Sequence, residues 1–122
     1  MKMLLIEDDP DIRRIASLSL SRLGGMDVTT AAGGAEGLRQ AAERPPDAIL
    51  LDVMMPGMDG PATLAALRAC PSTAAIPVMF LTAKAMASEV ERLRSLGAVA
   101  VLTKPFDPLT LSAQVRAALG IH

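Results

Sequence analysis

The chain has 122 residues, the size of one ordinary domain, and its 51% hydrophobic content is enough to bury a core without disulfide or metal staples. It has no Trp or Tyr, and Phe80 and Phe106 are its only aromatic side chains, which excludes the stacking platforms that single-stranded nucleic acid and RNA need. Twelve Lys and Arg balance thirteen Asp and Glu, so no basic field favours direct DNA binding, and the lone Cys70 excludes an internal disulfide framework and zinc-finger spacing.

In chain order, the opening Met1-Lys2-Met3-Leu4-Leu5-Ile6 is too short for a signal-peptide core and runs into Glu7-Asp8-Asp9. Residues 3–6 read as a first strand. Asp9-Pro10 then reads as a helix cap followed by proline at the first helical position. Ile12, Ile15, Ala16, Leu20 and Leu23 follow at helical spacing, and Gly24-Gly25 is expected to end that helix. Residues 28–31 contain Thr29 and Thr30 and read as an edge strand. A helix over 34–43 is stopped by Pro45-Pro46, and Gly33, Gly34 and Gly37 are taken as its entry rather than as a phosphate loop.

Residues 48–51 read as a third strand, and Asp59 as the cap of a helix over 61–70 with Pro71 beyond it. Residues 78–81 make a fourth strand, 87–96 a helix closed by Gly97, and 98–102 a fifth strand. Asp107 and Pro108 are expected to start the last helix as cap and first residue, with Leu111, Val115, Ala118 and Leu119 on its buried side. The eight methionines are taken mostly as core filler. Short apolar runs alternating with helices imply right-handed βαβ units, hence an α/β fold with a doubly wound, five-stranded parallel sheet. No apolar run approaches the roughly 18 residues of a membrane span, so a soluble, cytoplasmic protein without membrane contact is expected.

Ligands in such sheets sit beyond the carboxyl ends of the strands. Those ends carry Glu7, Asp8 and Asp9 after the first strand, Asp52 at the third, Thr82 at the fourth, and Thr103-Lys104-Pro105-Phe106 at the fifth. Crowded carboxylates should raise one another's pKa unless a cation joins them, and a hard oxygen cluster of this size suits Mg²⁺. Asp9 is assigned to the helix cap, because Pro10 follows it. Pro56-Gly57 is read as a turn with glycine in the left-handed region. Cys70 and His122 are given no role.

The runs LLIEDDPDIRRI, LDVMMPGMDG, FLTAK and VLTKPF stand in one order, with 30 residues from Asp52 to Thr82 and 22 from Thr82 to Lys104. Together they resemble the response-regulator receiver domains of two-component signalling from end to end. The resemblance implies one receiver domain over residues 1–122 with the flavodoxin-like strand order 2-1-3-4-5. It implies that Asp52 is the phosphoacceptor, taking a phosphoryl group from a histidine kinase or histidine phosphotransfer protein. By position, Asp8 would ligate Mg²⁺ directly, Glu7 through water, and the backbone carbonyl of Met54 would add a further ligand beside Asp52. Lys104 would pair with a phosphoryl oxygen, Thr82 would donate its hydroxyl to another, and Ala83 would leave room for the group to enter. The Lys104-Pro105 bond is expected to be cis, as is usual in that family. A phosphate donor would dock on the first helix and the loop after Lys104, with Ile12, Arg13, Ala16, Pro105 and Phe106 as candidate contacts. A downstream protein target would use the face made by the fourth helix, fifth strand and fifth helix.

One position departs from the pattern. Three residues before the lysine most receivers carry Tyr or Phe, and here stands Val101, whose single χ1 and small area cannot reproduce a ring swing. Output is therefore expected to run through the loop after the fourth strand and the fourth helix, or to be muted. The domain is expected to catalyse only its own phosphorylation and dephosphorylation, with Met54 and Lys84 flanking the site and a long-lived aspartyl phosphate. Two other functions fit these residues less well. An unphosphorylated adaptor would commonly lack an acid or the lysine. An aspartate-nucleophile phosphatase would need an acid where Met54 stands. The residues as given suit either a stand-alone regulator or one domain of a longer protein.

Overall fold

The structure is a computed structural model that describes residues 1–84 and 86–121, so His122 lies outside the described residues. Its elements are β1 (Lys2–Ile6), α1 (Pro10–Leu18), β2 (Asp27–Ala31), α2 (Gly34–Glu43), β3 (Ala48–Asp52), α3 (Gly60–Ala69), β4 (Val78–Thr82), α4 (Ala87–Ser95), β5 (Ala100–Thr103) and α5 (Leu111–Ala118). All strand pairs are parallel, in the order β2-β1-β3-β4-β5. The order reverses at β1, so the crevice of the sheet opens between the carboxyl ends of β1 and β3, where Glu7 and Asp52 stand.

The runs that read as doubly covered strands are covered on both faces. Every residue of β3 and β4 is buried. Leu4, Ile6, Ile49, Leu51, Val78 and Phe80 face a core closed by α2, α3 and α4. Met3, Leu5, Leu50, Met79 and Leu81 face a second core closed by α1 and α5. Alternation along each strand thus supplies two hydrophobic layers on one sheet.

Asp9 caps α1 as its spacing predicts, its Oδ1 accepting from the Asp11 N–H at 2.9 Å and the Ile12 N–H at 3.2 Å. The far end of that helix differs from expectation. The α-helix stops at Leu18, and Ser19–Leu23 form a single π turn in which the Gly24 N–H reaches back to the Ser19 carbonyl at 3.1 Å. The widened turn sets Gly24 against α5, so Leu23 is 58% exposed rather than buried, and Ile15 is exposed as well.

The last helix also starts later than Asp107-Pro108 suggests. The Asp107 carboxylate accepts from the Leu109 N–H at 2.9 Å and its carbonyl from the Thr110 and Leu111 N–H groups, which makes a turn before α5 begins at Leu111. Leu111 and Val115 are fully buried, whereas Ala118 and Leu119 are only half-buried. β5 begins at Ala100, two residues after the expected start. Met3, Met26, Met55 and Met79 are core residues, but Met54 and Met86 are exposed.

Two glycines shape the loop after Asp52. Gly57 has φ of 73°, the left-handed turn position the Pro56-Gly57 pair predicts. Gly60 starts α3 against the end of β3, where a Cβ would lie 2.5 Å from the Asp52 carbonyl oxygen and 2.8 Å from the Val53 Cα. Both atoms belong to backbone and cannot turn aside. Gly60→Ala is therefore expected to lower stability by about 1–3 kcal/mol in urea denaturation; a variant as stable as the parent would show that α3 can back away from β3.

Candidate functional site

Four strand ends bring the predicted residues together. Glu7 follows β1, its N–H donating to the Ala31 carbonyl at 3.0 Å, so it continues the line of the sheet. Asp52 ends β3 and pairs in register with Leu81, which places Thr82 one residue further along the neighbouring strand. The Lys104 N–H donates to the Thr82 carbonyl at 2.7 Å, fixing the lysine backbone beside β4. The Lys104-Pro105 bond is cis.

From there the Lys104 ammonium reaches two acids, lying 2.7 Å from Glu7 Oε1 and 2.9 Å from Asp52 Oδ1. Glu7 is wholly buried, Asp52 is 2% exposed, and Asp8 is half-buried beside them. Carboxylate oxygens of Glu7, Asp8 and Asp52 lie within 4.8 Å of one another.

Crowding does not raise both buried acids. Burial, followed by the neighbouring Asp52 carboxyl, pushes Glu7 from its ordinary 4.5 to about 8. Burial acts on Asp52 in the same sense, but the adjoining Glu7, Lys104 and Asp8 side chains outweigh it and hold Asp52 below its ordinary value. Burial would lower the Lys104 pKa, yet its bonds to the two acids raise it. At neutral pH the cluster therefore contains a protonated Glu7, an ionised Asp52 and a charged Lys104. The exception to the expected mutual raising of the carboxylates, a cation that joins them, is met by Lys104, although Glu7 still rises.

The donor set fits a hard divalent cation. Three carboxylates from two adjacent loops converge, and Glu7 Oε2 is buried with no hydrogen-bond partner among the described residues. Met54, whose backbone carbonyl is the fourth expected ligand, follows two residues after Asp52 with its side chain 63% exposed.

Thr82 is buried, and its Oγ1 accepts the Lys84 N–H at 3.0 Å. Beside Lys104 an apolar cleft of about 410 Å³ is lined by Ile12, Ile15, Ala83, Pro105, Phe106 and Pro108. Ile12, Pro105 and Phe106, the expected docking contacts, thus all line this cleft. Ala16 is not, because it is fully buried under α1. Arg13 instead supports the acidic loop from within, its guanidinium donating to the carbonyls of Glu7 at 2.8 Å and Asp8 at 3.3 Å. The signal for this was a basic residue one helical turn after the cap, a spacing that surface arginines share.

The comparisons agree with this geometry. Residues 3–116 match the family model described as "Response regulator receiver domain". The transcriptional regulatory protein PrrA of Mycobacterium tuberculosis is 41% identical over 119 residues, covering 97% of this chain and 49% of that protein. A Rhizobium etli protein described as "Probable chemotaxis protein CheY" is 34% identical over 120 residues, covering 98% of this chain and 93% of that one. The solved structure of the Vibrio cholerae chemotaxis protein CheY4 superposes with a TM-score of 0.88 at 32% identity, covering 96% of this chain and 97% of that one. The chain belongs to the response regulator receiver domain family. It spans about half the length of PrrA. Phosphoryl acceptance, Mg²⁺ binding and exchange with histidine kinases are general to response regulators of this family.

The sign of the pH dependence follows from Glu7. Its proton is held up to about pH 8 in the folded chain but leaves near 4.5 in the unfolded one, so the metal-free fold loses stability as pH rises between those values. Divalent binding to the ionised cluster must displace that proton. Calorimetric Mg²⁺ affinity is therefore expected to rise with pH until about 8 and then level off; affinity that stays constant as pH rises from 4.5 to about 8 would contradict it.

Proposed function

We propose that this chain is a phosphoacceptor switch that takes a phosphoryl group on Asp52 from a phosphohistidine of a histidine kinase or phosphotransfer protein and signals in the cytoplasm by protein docking. The observation that carries this is the ionised Asp52 carboxylate, buried at the crevice of the sheet beneath Lys104 and beside two further acids. An Asp52 oxygen attacks phosphorus, the phosphorus–nitrogen bond breaks, and the donor imidazole leaves with the electron pair. The Lys104 ammonium, already within 2.9 Å of Asp52, follows the new charge onto a phosphoryl oxygen as a movable point charge. Glu7, Asp8, Asp52 and the Met54 carbonyl are the residues that would hold Mg²⁺, which when bound neutralises charge on the transferring phosphoryl oxygens. The cleft between α1 and the loop after Lys104 receives the donor.

The state of Asp52 is reported through the loop after β4. The Thr82 hydroxyl accepts the Lys84 N–H at 3.0 Å, and Met86, at the N-cap of α4, gives the helix no side-chain cap. Turning that hydroxyl to a phosphoryl oxygen removes the bond and frees the entry to α4. Val101 packs half-buried on the core beneath α4 and has no ring to move. Met54, exposed two residues after Asp52, offers no proton to a leaving group, which supports self-phosphorylation rather than turnover of other esters and favours a long-lived product. The complete set of acids and lysine speaks against an unphosphorylated adaptor.

Incubation with acetyl phosphate and Mg²⁺ is expected to add one phosphoryl group to the wild type by intact mass and none to Asp52→Asn. A wild type that binds Mg²⁺ but stays unlabelled would favour the adaptor. Hydrogen exchange of the labelled protein is expected to quicken across residues 83–97, and unchanged exchange there would remove the proposed route of output.

A further inference from the structure

α1 and its π turn are fastened to both loops that build the site. Near the start of the helix, Arg13 holds the carbonyls of Glu7 and Asp8. At the other end, Ser19 is buried and donates its hydroxyl to the carbonyl of Pro108, four residues after Lys104. Among the described residues this is the one side-chain hydrogen bond that ties the segment 105–109 to another element; the remaining bonds there run within the Asp107 turn.

The π turn makes the tie possible. By reaching back five residues it brings Gly24 onto α5, where the Gly24 carbonyl accepts the Arg116 guanidinium at 2.5 Å and a Cβ at Gly24 would lie 2.7 Å from the Ser112 Cβ. π turns inside helices often serve function rather than stability. Here the widened turn closes α1 against α5 and leaves Ser19 facing the loop between them.

We infer that Ser19 is a positioning residue for phosphoryl acceptance, holding the loop 105–108 against α1 so that the Lys104 ammonium stays over Asp52. The inference rests on the reading of Asp52 as phosphoacceptor. A lysine is a point charge on a flexible stem, and its direction comes from where its backbone is held. Lys104 is held on one side by its N–H bond to Thr82 and, through Pro108, by Ser19 on the other. One helix thereby fixes the acidic loop with Arg13 and the lysine loop with Ser19. Misplacement of a reacting group by about 1 Å is enough to slow chemistry strongly.

The test is a double-mutant cycle read as the maximal rate of labelling by phosphoramidate at saturating Mg²⁺, followed by intact mass below the melting transition of every variant. Ser19→Ala is expected to slow labelling by about three- to tenfold, the rate equivalent of one neutral hydrogen bond. In a Lys104→Ala background the same substitution is expected to change the rate by less than about twofold, because its effect passes through the lysine. Ser19→Ala labelling at the wild-type rate, or slowing equally in both backgrounds, would overturn the inference while leaving Asp52 as acceptor. A wild type that takes no label would instead remove the reading on which it rests.

Discussion

The bridge from the Lys104 ammonium to the two buried carboxylates of Glu7 and Asp52 is the interaction on which the rest of this molecule turns. Its partners come from three places in the chain, after β1, at the end of β3 and after β5, and only the parallel sheet brings them to one crevice. Taking either acid out of water unpaired would be costly, and so would burying the lysine alone. Together, with one proton kept on Glu7, they leave Asp52 ionised in a site almost closed to solvent. Close approach of α3 at Gly60 and the grip of Arg13 on the acidic loop serve that arrangement.

The sheet also separates the two surfaces that the proposed function uses. The face covered by α1 and α5 carries the cleft beside Lys104 and the Ser19 tie, which the proposed function assigns to the phosphate donor. The opposite face, covered by α2, α3 and α4, carries Phe80, Val101 and Leu93. Thr82 stands at the boundary between them, its hydroxyl already engaged with the loop that leads to α4. Val101 packs on that second face and has no ring to rotate.

Much of this was legible in the sequence because local chemistry and global fold agree. Continuous apolar runs such as Val78 to Leu81 can only be strands covered on both sides, and Asp9-Pro10 and Asp59 cap helices by short-range bonds that need no partner elsewhere. The site residues were legible as a constellation at strand ends. What the sequence left unread depends on distant contacts. Leu23 stands at helical spacing, but nothing nearby announces the π turn that exposes it, which is fastened by the Arg116 guanidinium 92 positions after Gly24. Asp107-Pro108 carries the local signature of a helix start, yet the Asp107 side chain and carbonyl are spent on a turn. Crowded acids suggested mutual repulsion unless a cation joined them. Lys104 lowers both, but burial and the neighbouring Asp52 still raise Glu7, while Glu7, Lys104 and Asp8 hold Asp52 down.

The central claim concerns charge at atoms that can be observed one by one. A carbon-13 titration of the side-chain carboxyl signals in the metal-free protein separates Glu7 from Asp52. The account predicts that Glu7 titrates near pH 8 while Asp52 stays ionised to below its ordinary range. Two carboxyl groups that both titrate at ordinary values would contradict it, because Lys104 would then not be joining them.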